Sequence, residues 1–444
     1  MRERLAPLRS LALALFAPAL LPAQAPARHD AEVARRAQAL EAKVVAWRRD
    51  IHQHPELGNR EFRTSKLVAE HLQSLGMEVR TGVAHTGVVG ILRGGRPGPV
   101  VALRADMDAL PVTEEVDLPF KSTVRATYNG QEVGVMHACG HDNHVAILMG
   151  VADMLAGMKQ EVAGTVKFVF QPAEEGPPTG ERGGAELMLE EGVFDNPRVD
   201  AVFGLHVFPF EVGKVAYRAG GLMASGDTYR VVVRGRQTHG ALPWGGIDPI
   251  TITSQIIASM QSIVSRQVDL IATPAILTVG YIRGGVRVNI IPDSVEFGGT
   301  IRAFHEPSRD SIVAKFKRLV TAMAEANGAT ASITFERGTP VTWNDPALTA
   351  HIVPSLQRAL GAGEVLEGLP TTTSEDFSLF QKAAPGVFLF LGVTPKDADP
   401  SKVAANHSPR FFADEGALVP GMKALATVTL DYLASPPGKP KPKM

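Results

Sequence analysis

The chain has 444 residues, 45% hydrophobic and 20% charged, with a formal net charge of −1. That length implies two domains rather than one simple core. The balanced charge speaks against nucleic-acid binding, which would bring a basic excess, and no long acidic run marks an interaction tail.

Arg2, Arg4 and Arg9 precede an apolar run from Leu11 to Leu21 that leads into Ala23-Gln24-Ala25. Basic, apolar and small residues in that order read as a cleaved secretory signal over residues 1–25. The run is short for a membrane span and Pro18 interrupts it. No later stretch of about 18 apolar residues follows, so the mature protein is expected to be soluble and exported, to a periplasm or outside the cell. Export normally brings disulfides, yet the chain has one cysteine. An exported free thiol needs burial or a metal to protect it.

Residues 30–49 read as a helix with Val33, Leu40, Val44 and Trp47 on its apolar positions, ended near Pro55. Thr64 is expected to cap a second helix that Gly76 stops. His52, His54 and His71 form no ligand cluster and read as structural. Val88 to Leu92 and Val100 to Leu103 read as buried strands of an α/β sheet. The second delivers Asp106 and Asp108 to a strand end, where open α/β sheets bind their ligands. Next comes Met136-His-Ala-Cys139-Gly-His-Asp-Asn-His144, which gathers His137, Cys139, His141 and His144 on a loop hinged at Gly140. A solitary cysteine is ordinarily a small buried hydrophobe, but soft and borderline donors this dense favour a metal. After a buried helix from Val145, the strand Val166 to Phe170 leads to Glu174-Glu175, and the strand Ala201 to Leu205 delivers His206.

From about Gly221 the texture changes to strand, helix, two strands, helix, strand. That β-α-β-β-α-β order is ferredoxin-like and reads as an insertion over residues 221–336. It would divide a catalytic α/β domain into residues 30–220 and 337–435, with a Pro/Lys-rich disordered tail at 436–444. The α/β texture resumes with a helix from Thr349, a strand from Gly386, the loop Asn406-His407-Ser408-Pro409 and a last helix near Asp414.

Cys139, His141, Glu175, His206 and His407 are thus five candidate ligands on loops and strand ends. Five exceed what one zinc site uses, so two ions sharing a bridging group fit better. Glu174, beside a ligand, then has the position of a general base. The motifs Arg104-Ala-Asp-Met-Asp-Ala-Leu-Pro111, His137-Ala-Cys-Gly-His-Asp142, Gln171-Pro-Ala-Glu-Glu175, Thr373-Ser-Glu-Asp-Phe377 and Asn406-His-Ser-Pro409 occur in this order. Together they resemble the metallopeptidase family of aminoacylases, glutamate carboxypeptidases and hippurate hydrolases. The branch they fit is the amidohydrolases of N-acyl amino acids and auxin conjugates, and the match runs from about residue 45 to 435.

The resemblance implies a mixed-sheet, zinc-exopeptidase-like catalytic domain with an inserted lid and dimerisation domain. It implies two divalent ions, zinc or manganese with cobalt or nickel as alternatives, on the five ligands named, with Cys139 bridging and Glu174 as base. Where other branches carry His-x-Asp this chain has Asp106-Met107-Asp108, and Asp108 is expected to orient a ligand. In the insertion, His239 is expected to stabilise the oxyanion, from the same chain or across a homodimer. Asn289 and Arg302 are candidates for the substrate carboxylate. The implied activity is hydrolysis of a small N-acyl or N-aroyl amino acid at its amide bond. A dipeptidase or carboxypeptidase of the same family and an exported, non-catalytic binding protein are the rival expectations. The segment Gly176 to Arg182 is longer and richer in proline than expected and should reshape one wall of the pocket.

Overall fold

The computed structural model describes residues 29–437; the expected signal at 1–25 and all but the start of the expected tail lie outside them. An eight-stranded mixed sheet forms the centre. Its order is Glu78–Val83, Gly87–Arg93, Ala163–Gln171, Arg96–Asp106, Ala201–Glu211, Gly386–Thr394, Val215–Tyr217 and Val365–Glu367. The four strands in the middle of this order, from Ala163–Gln171 to Gly386–Thr394, run parallel. They are nearly continuous apolar runs because both of their faces are covered. Successive residues alternate between the two cores: Val101 and Leu103 face the helices Asp30–Gln53, His141–Gly157 and Leu418–Ala434. Ala102 faces the other side, with Phe377, Phe380 and Phe388.

The second helix, Phe62–Ser74, starts two residues before Thr64, which is buried inside it. Its first turn is capped from outside, because the Glu56 carboxylate accepts the N–H groups of Arg63 and Thr64 and the Thr64 hydroxyl. Gly76 does supply the stop, at φ +72°. His206 lies within its strand rather than at the end, since pairing with Gly386–Thr394 continues the strand to Glu211.

A separate four-stranded sheet has the order Ala275–Gly284, Ser294–Ala303, Asp227–Arg234, Thr330–Glu336, antiparallel throughout. This is the ferredoxin-like arrangement. The helices Pro249–Gln267 and Glu306–Ala326 cover one face around Val231, Phe297, Ile256 and Phe316. The first of them is set by Asp248, whose carboxylate accepts the N–H groups of Ile250 and Thr251, with Pro249 at the first helical position. The chain leaves the large sheet and returns to it through a two-stranded ribbon in which Gly220–Met223 pairs with Thr342–Asn344.

Candidate active site

The predicted ligands gather at the C-terminal ends of the central parallel strands. The Cys139–His141 loop is bent at Gly140, at φ +87°, where a Cβ would come within 2.4 Å of Val207. His407 has a positive φ of 70° and its N–H donates to Ala138 O at 2.8 Å. Asn406 then joins three segments: its side-chain amide donates to Cys139 O at 3.1 Å and to Val207 O at 3.2 Å.

Donor atoms of Cys139, His141 and His206 lie within 4.8 Å of one another, and so do those of Cys139, Glu175 and His407. Cys139 is common to both trios. The first is buried; in the second, the His407 side chain is 54% exposed. His206 Nδ1 donates to Val207 O at 2.8 Å, which leaves Nε2 free to face Cys139 Sγ at 3.3 Å. Both ring nitrogens of His141 are buried without a hydrogen-bond partner among the described residues. Burial pulls its pKa down, but the carboxylates of Asp106, Asp108 and Glu175 hold it up, to about 10. Burial, and then Glu175 and Glu174, push the Cys139 thiol well above its ordinary range. A thiolate ligand there therefore needs a cation beside it. Orphaned imidazole nitrogens, a shared sulfur and a ring of carboxylates fit two divalent ions.

The other two histidines of the motif stand outside these two trios, although His144 also clusters with Asp106 and His141. His144 Nε2 accepts the Val207 N–H at 2.9 Å, so its Nδ1 carries the proton and donates to Asp106 at 2.5 Å; both nitrogens are engaged. His137 is buried near His52 and belongs to neither trio. His52 is structural as expected, bonded to Asp142 at 2.9 Å and Glu114 at 3.2 Å.

Asp108 works on the backbone. Its two oxygens accept the N–H groups of Glu174 and Glu175, each at 3.0 Å, and Oδ1 stands 3.4 Å from His141 Nδ1. Asp106 lies on the other side of the same ring, 3.8 Å from His141 Nε2. Glu174 and Glu175 both reach His141, following the turn at Ala173, φ +50°. Burial, then the charges of Glu375 and Glu175, raise the Glu174 carboxyl well above its ordinary range. Beneath them the buried Arg104 guanidinium donates to Gln171 at 2.8 Å, Asp106 at 2.6 Å, Glu375 at 2.9 Å and Asp376 at 3.1 Å. Three of the sequence motifs thus meet on one cation.

Glu61 had no role in the sequence reading. It is fully buried, accepts the Ala173 N–H at 2.9 Å and the Thr86 hydroxyl at 2.5 Å, and so holds the turn before Glu174. A cleft of about 120 Å³ opens beside Asp108 and Glu175, with Gly176 and Pro178 on one wall, where the unusual 176–182 segment was expected to act.

The residues expected in the insertion stand apart from this cluster. His239 and Asn289 come together, since His239 pairs with Ile290 and the Gly240 N–H donates to Asn289 O at 2.8 Å. Among the described residues no hydrogen bond or ion pair joins either of them to Glu174. His239 is exposed, and its Nδ1 accepts the Ala241 N–H at 3.0 Å. Arg302 does reach the large domain and donates to Ser374 Oγ at 2.8 Å, one residue from Glu375.

A family model for peptidase family M20/M25/M40 matches residues 102–431. The chain belongs to that family. Thermostable carboxypeptidase 1 of Saccharolobus solfataricus is 41% identical over 88% of this chain and 96% of its own length. IAA-amino acid hydrolase ILR1-like 4 of Arabidopsis thaliana is 40% identical over 88% of this chain and 86% of its own. Among solved structures, the Bacillus subtilis YxeP protein, a dinuclear metal-binding peptidase of the M20 family, superposes with a TM-score of 0.75 at 32% identity. It covers 90% of this chain and 99% of its own. The M20 fold accounts for the large mixed sheet together with the smaller ferredoxin-like unit.

Proposed function

We propose that this M20-family enzyme hydrolyses N-acyl and N-aroyl amino acids at the amide bond, releasing a carboxylic acid and a free amino acid. The observation that carries the reading is the convergence of donors from residues as far apart as 139 and 407 on one cysteine, with Glu174 beside them. Two divalent ions, zinc or manganese, would be held by Cys139 with His141 and His206, and by Cys139 with Glu175 and His407. Bound there, they supply the Lewis acidity that lets water attack an amide at neutral pH. Glu174 takes a proton from the attacking water at its carboxylate and returns it to the leaving nitrogen. Burial raises its pKa, and cations in the site oppose that push.

Because His239 Nδ1 accepts a backbone N–H, the proton of the neutral ring sits on Nε2, a donor suited to the developing oxyanion. Asn289 and Arg302 hold the substrate carboxylate. His239 reaches the reacting carbonyl by closure of the residue 221–336 lid, or from the second copy in a homodimer. Exposed Ile276 and Ile282 on the free edge strand Ala275–Gly284 support that interface. The signal-like residues 1–25 support export, and the burial of the single thiol is compatible with it.

A carboxypeptidase activity is the second reading, favoured by the Saccharolobus relative. Hippurate, N-acetyl-amino acids and dipeptides, each assayed in zinc and manganese buffers with and without chelator, separate the two. Chelator-sensitive cleavage of the acyl amino acids with inert dipeptides is the expected result. Preferred cleavage of dipeptides would move the enzyme to the peptidase reading, and no turnover by metal-loaded protein would leave a binding protein.

A further inference from the structure

A second cavity, of about 340 Å³, lies away from the candidate metal ligands, where the insertion meets the large domain. Pro307, Val341 and the half-exposed Trp343 give it apolar walls, and that volume suits a small organic molecule. Its polar groups divide sharply. Glu306 is already saturated, accepting from Arg309 at 3.2 Å, Arg337 at 2.9 Å and the Val341 N–H at 2.9 Å. Gln381 is also spent, accepting the Trp343 N–H at 2.8 Å and donating to Asn344 at 3.0 Å. What remains free are groups able to donate, His305 among them, whose Nδ1 is shared with the Ser308 hydroxyl at 3.1 Å while no partner of its Nε2 stands among the described residues. The Ser378 hydroxyl is buried without a partner, and the Trp343 indole N–H has none among the described residues. Among the described residues Lys382 has only Glu306 in reach, at 4.0 Å. A positive charge, a buried hydroxyl and an aromatic wall with a free N–H ask for an acceptor with a flat apolar body.

We propose that this cavity binds a small aromatic carboxylate, its ring against Trp343 and its carboxylate on Lys382 and Ser378. The ligand would bridge Pro307 of the insertion and the Phe377–Ala383 helix, which follows directly on the Glu375-Asp376 pair that Arg104 ties to the active site. It is therefore placed to bias the angle between the two units. The acid released from an N-aroyl amino acid has this chemistry, a link that rests on the proposed substrate class; the cavity itself does not.

The test reads binding without turnover. The chain has three tryptophans, so 5-fluorotryptophan labelling gives three fluorine resonances, with that of Trp343 assigned by Trp343→Phe. Benzoate should move the Trp343 resonance saturably, with half-saturation at roughly millimolar concentration. Lys382→Met, at a side chain 54% exposed and therefore harmless to folding, should weaken that binding about tenfold. Benzylamine should leave the resonance in place. A Trp343 signal that benzoate does not move, an equal response to benzylamine, or full affinity in Lys382→Met would each overturn the proposal. Failure of hippurate hydrolysis would count against the substrate reading alone.

Discussion

Asp108→Asn removes one acceptor while keeping size and shape. In the native protein the carboxylate takes the N–H groups of both Glu174 and Glu175 at 3.0 Å. An amide has one acceptor oxygen, so one of these N–H groups loses its partner and meets an NH₂ group instead. A hydrogen bond to a charged group contributes about 1.5–3 kcal/mol. If that energy serves to aim the Glu174-Glu175 turn, its loss becomes a fall in kcat of roughly 10- to 150-fold. Steady-state hydrolysis of N-acetyl-amino acids, with metal content measured in parallel by mass spectrometry, reads both consequences. Glu175 is a proposed ligand, so retention of the second ion should fall together with the rate. Activity within about twofold of wild type at full metal content would refute the idea that Asp108 acts through this turn.

Glu174→Gln should lower kcat by about 10²–10⁴-fold while leaving metal content unchanged; loss of metal instead would make Glu174 a ligand rather than a base. Chelator should strip the ions in two phases, because His407 is exposed while Cys139, His141 and His206 are buried. Single-phase loss in a time course of bound metal would contradict that asymmetry. Burial and the Asp108 charge push the Glu61 carboxyl from 4.5 up to about 8. A raised carboxyl gives its full stability below about pH 4.5 and loses it as pH rises through about 8, whereas glutamine does not titrate. Melting curves of Glu61→Gln should therefore gain on wild type across that window, and a constant gap would show that Glu61 does not titrate there. Ile282→Lys, at a residue 54% exposed, should turn the proposed homodimer into a monomer in sedimentation; a dimer that persists would place the interface elsewhere, and a monomeric wild type would refute the dimer.

Four of the five proposed metal donors were readable in sequence because they sit in short motifs whose local chemistry is unusual: a cysteine between histidines, a glutamate pair after an apolar strand, a histidine in Asn-His-Ser-Pro; His206 was read only from the apolar strand that carries it. Their selection was less so. His137, His141 and His144 look alike in sequence. Only the backbone N–H of Val207, brought in by another strand, takes His144 out of the ligand set. Glu61 carried no signal, since its value lies in a contact with Ala173, 112 positions away. Thr64 failed as a cap for a related reason: Glu56 outside the helix satisfied the first turn. The ferredoxin-like unit was legible because its strands alternate and its helices carry one apolar face. Where His239 acts was not legible, because that depends on how two units, or two copies, approach each other.

The ribbon joining the insertion to the large sheet has a consequence for how such a chain can be built and rebuilt. The Gly226 N–H donates to Thr339 O at 3.0 Å, and a Cβ on Gly338 would fall 1.8 Å from Gly226 O. The outgoing and returning strands therefore run side by side here, and closing the long excursion between them costs the large sheet little order. Residues 227–337 thus leave and re-enter at neighbouring positions, the geometry of a cassette. A short turn joining 225 to 339 should leave the eight-stranded sheet foldable, and new chain ends opened inside the cassette should be tolerated. A lineage could thus exchange the unit proposed to select substrate while the scaffold that carries the candidate metal ligands stays as it is.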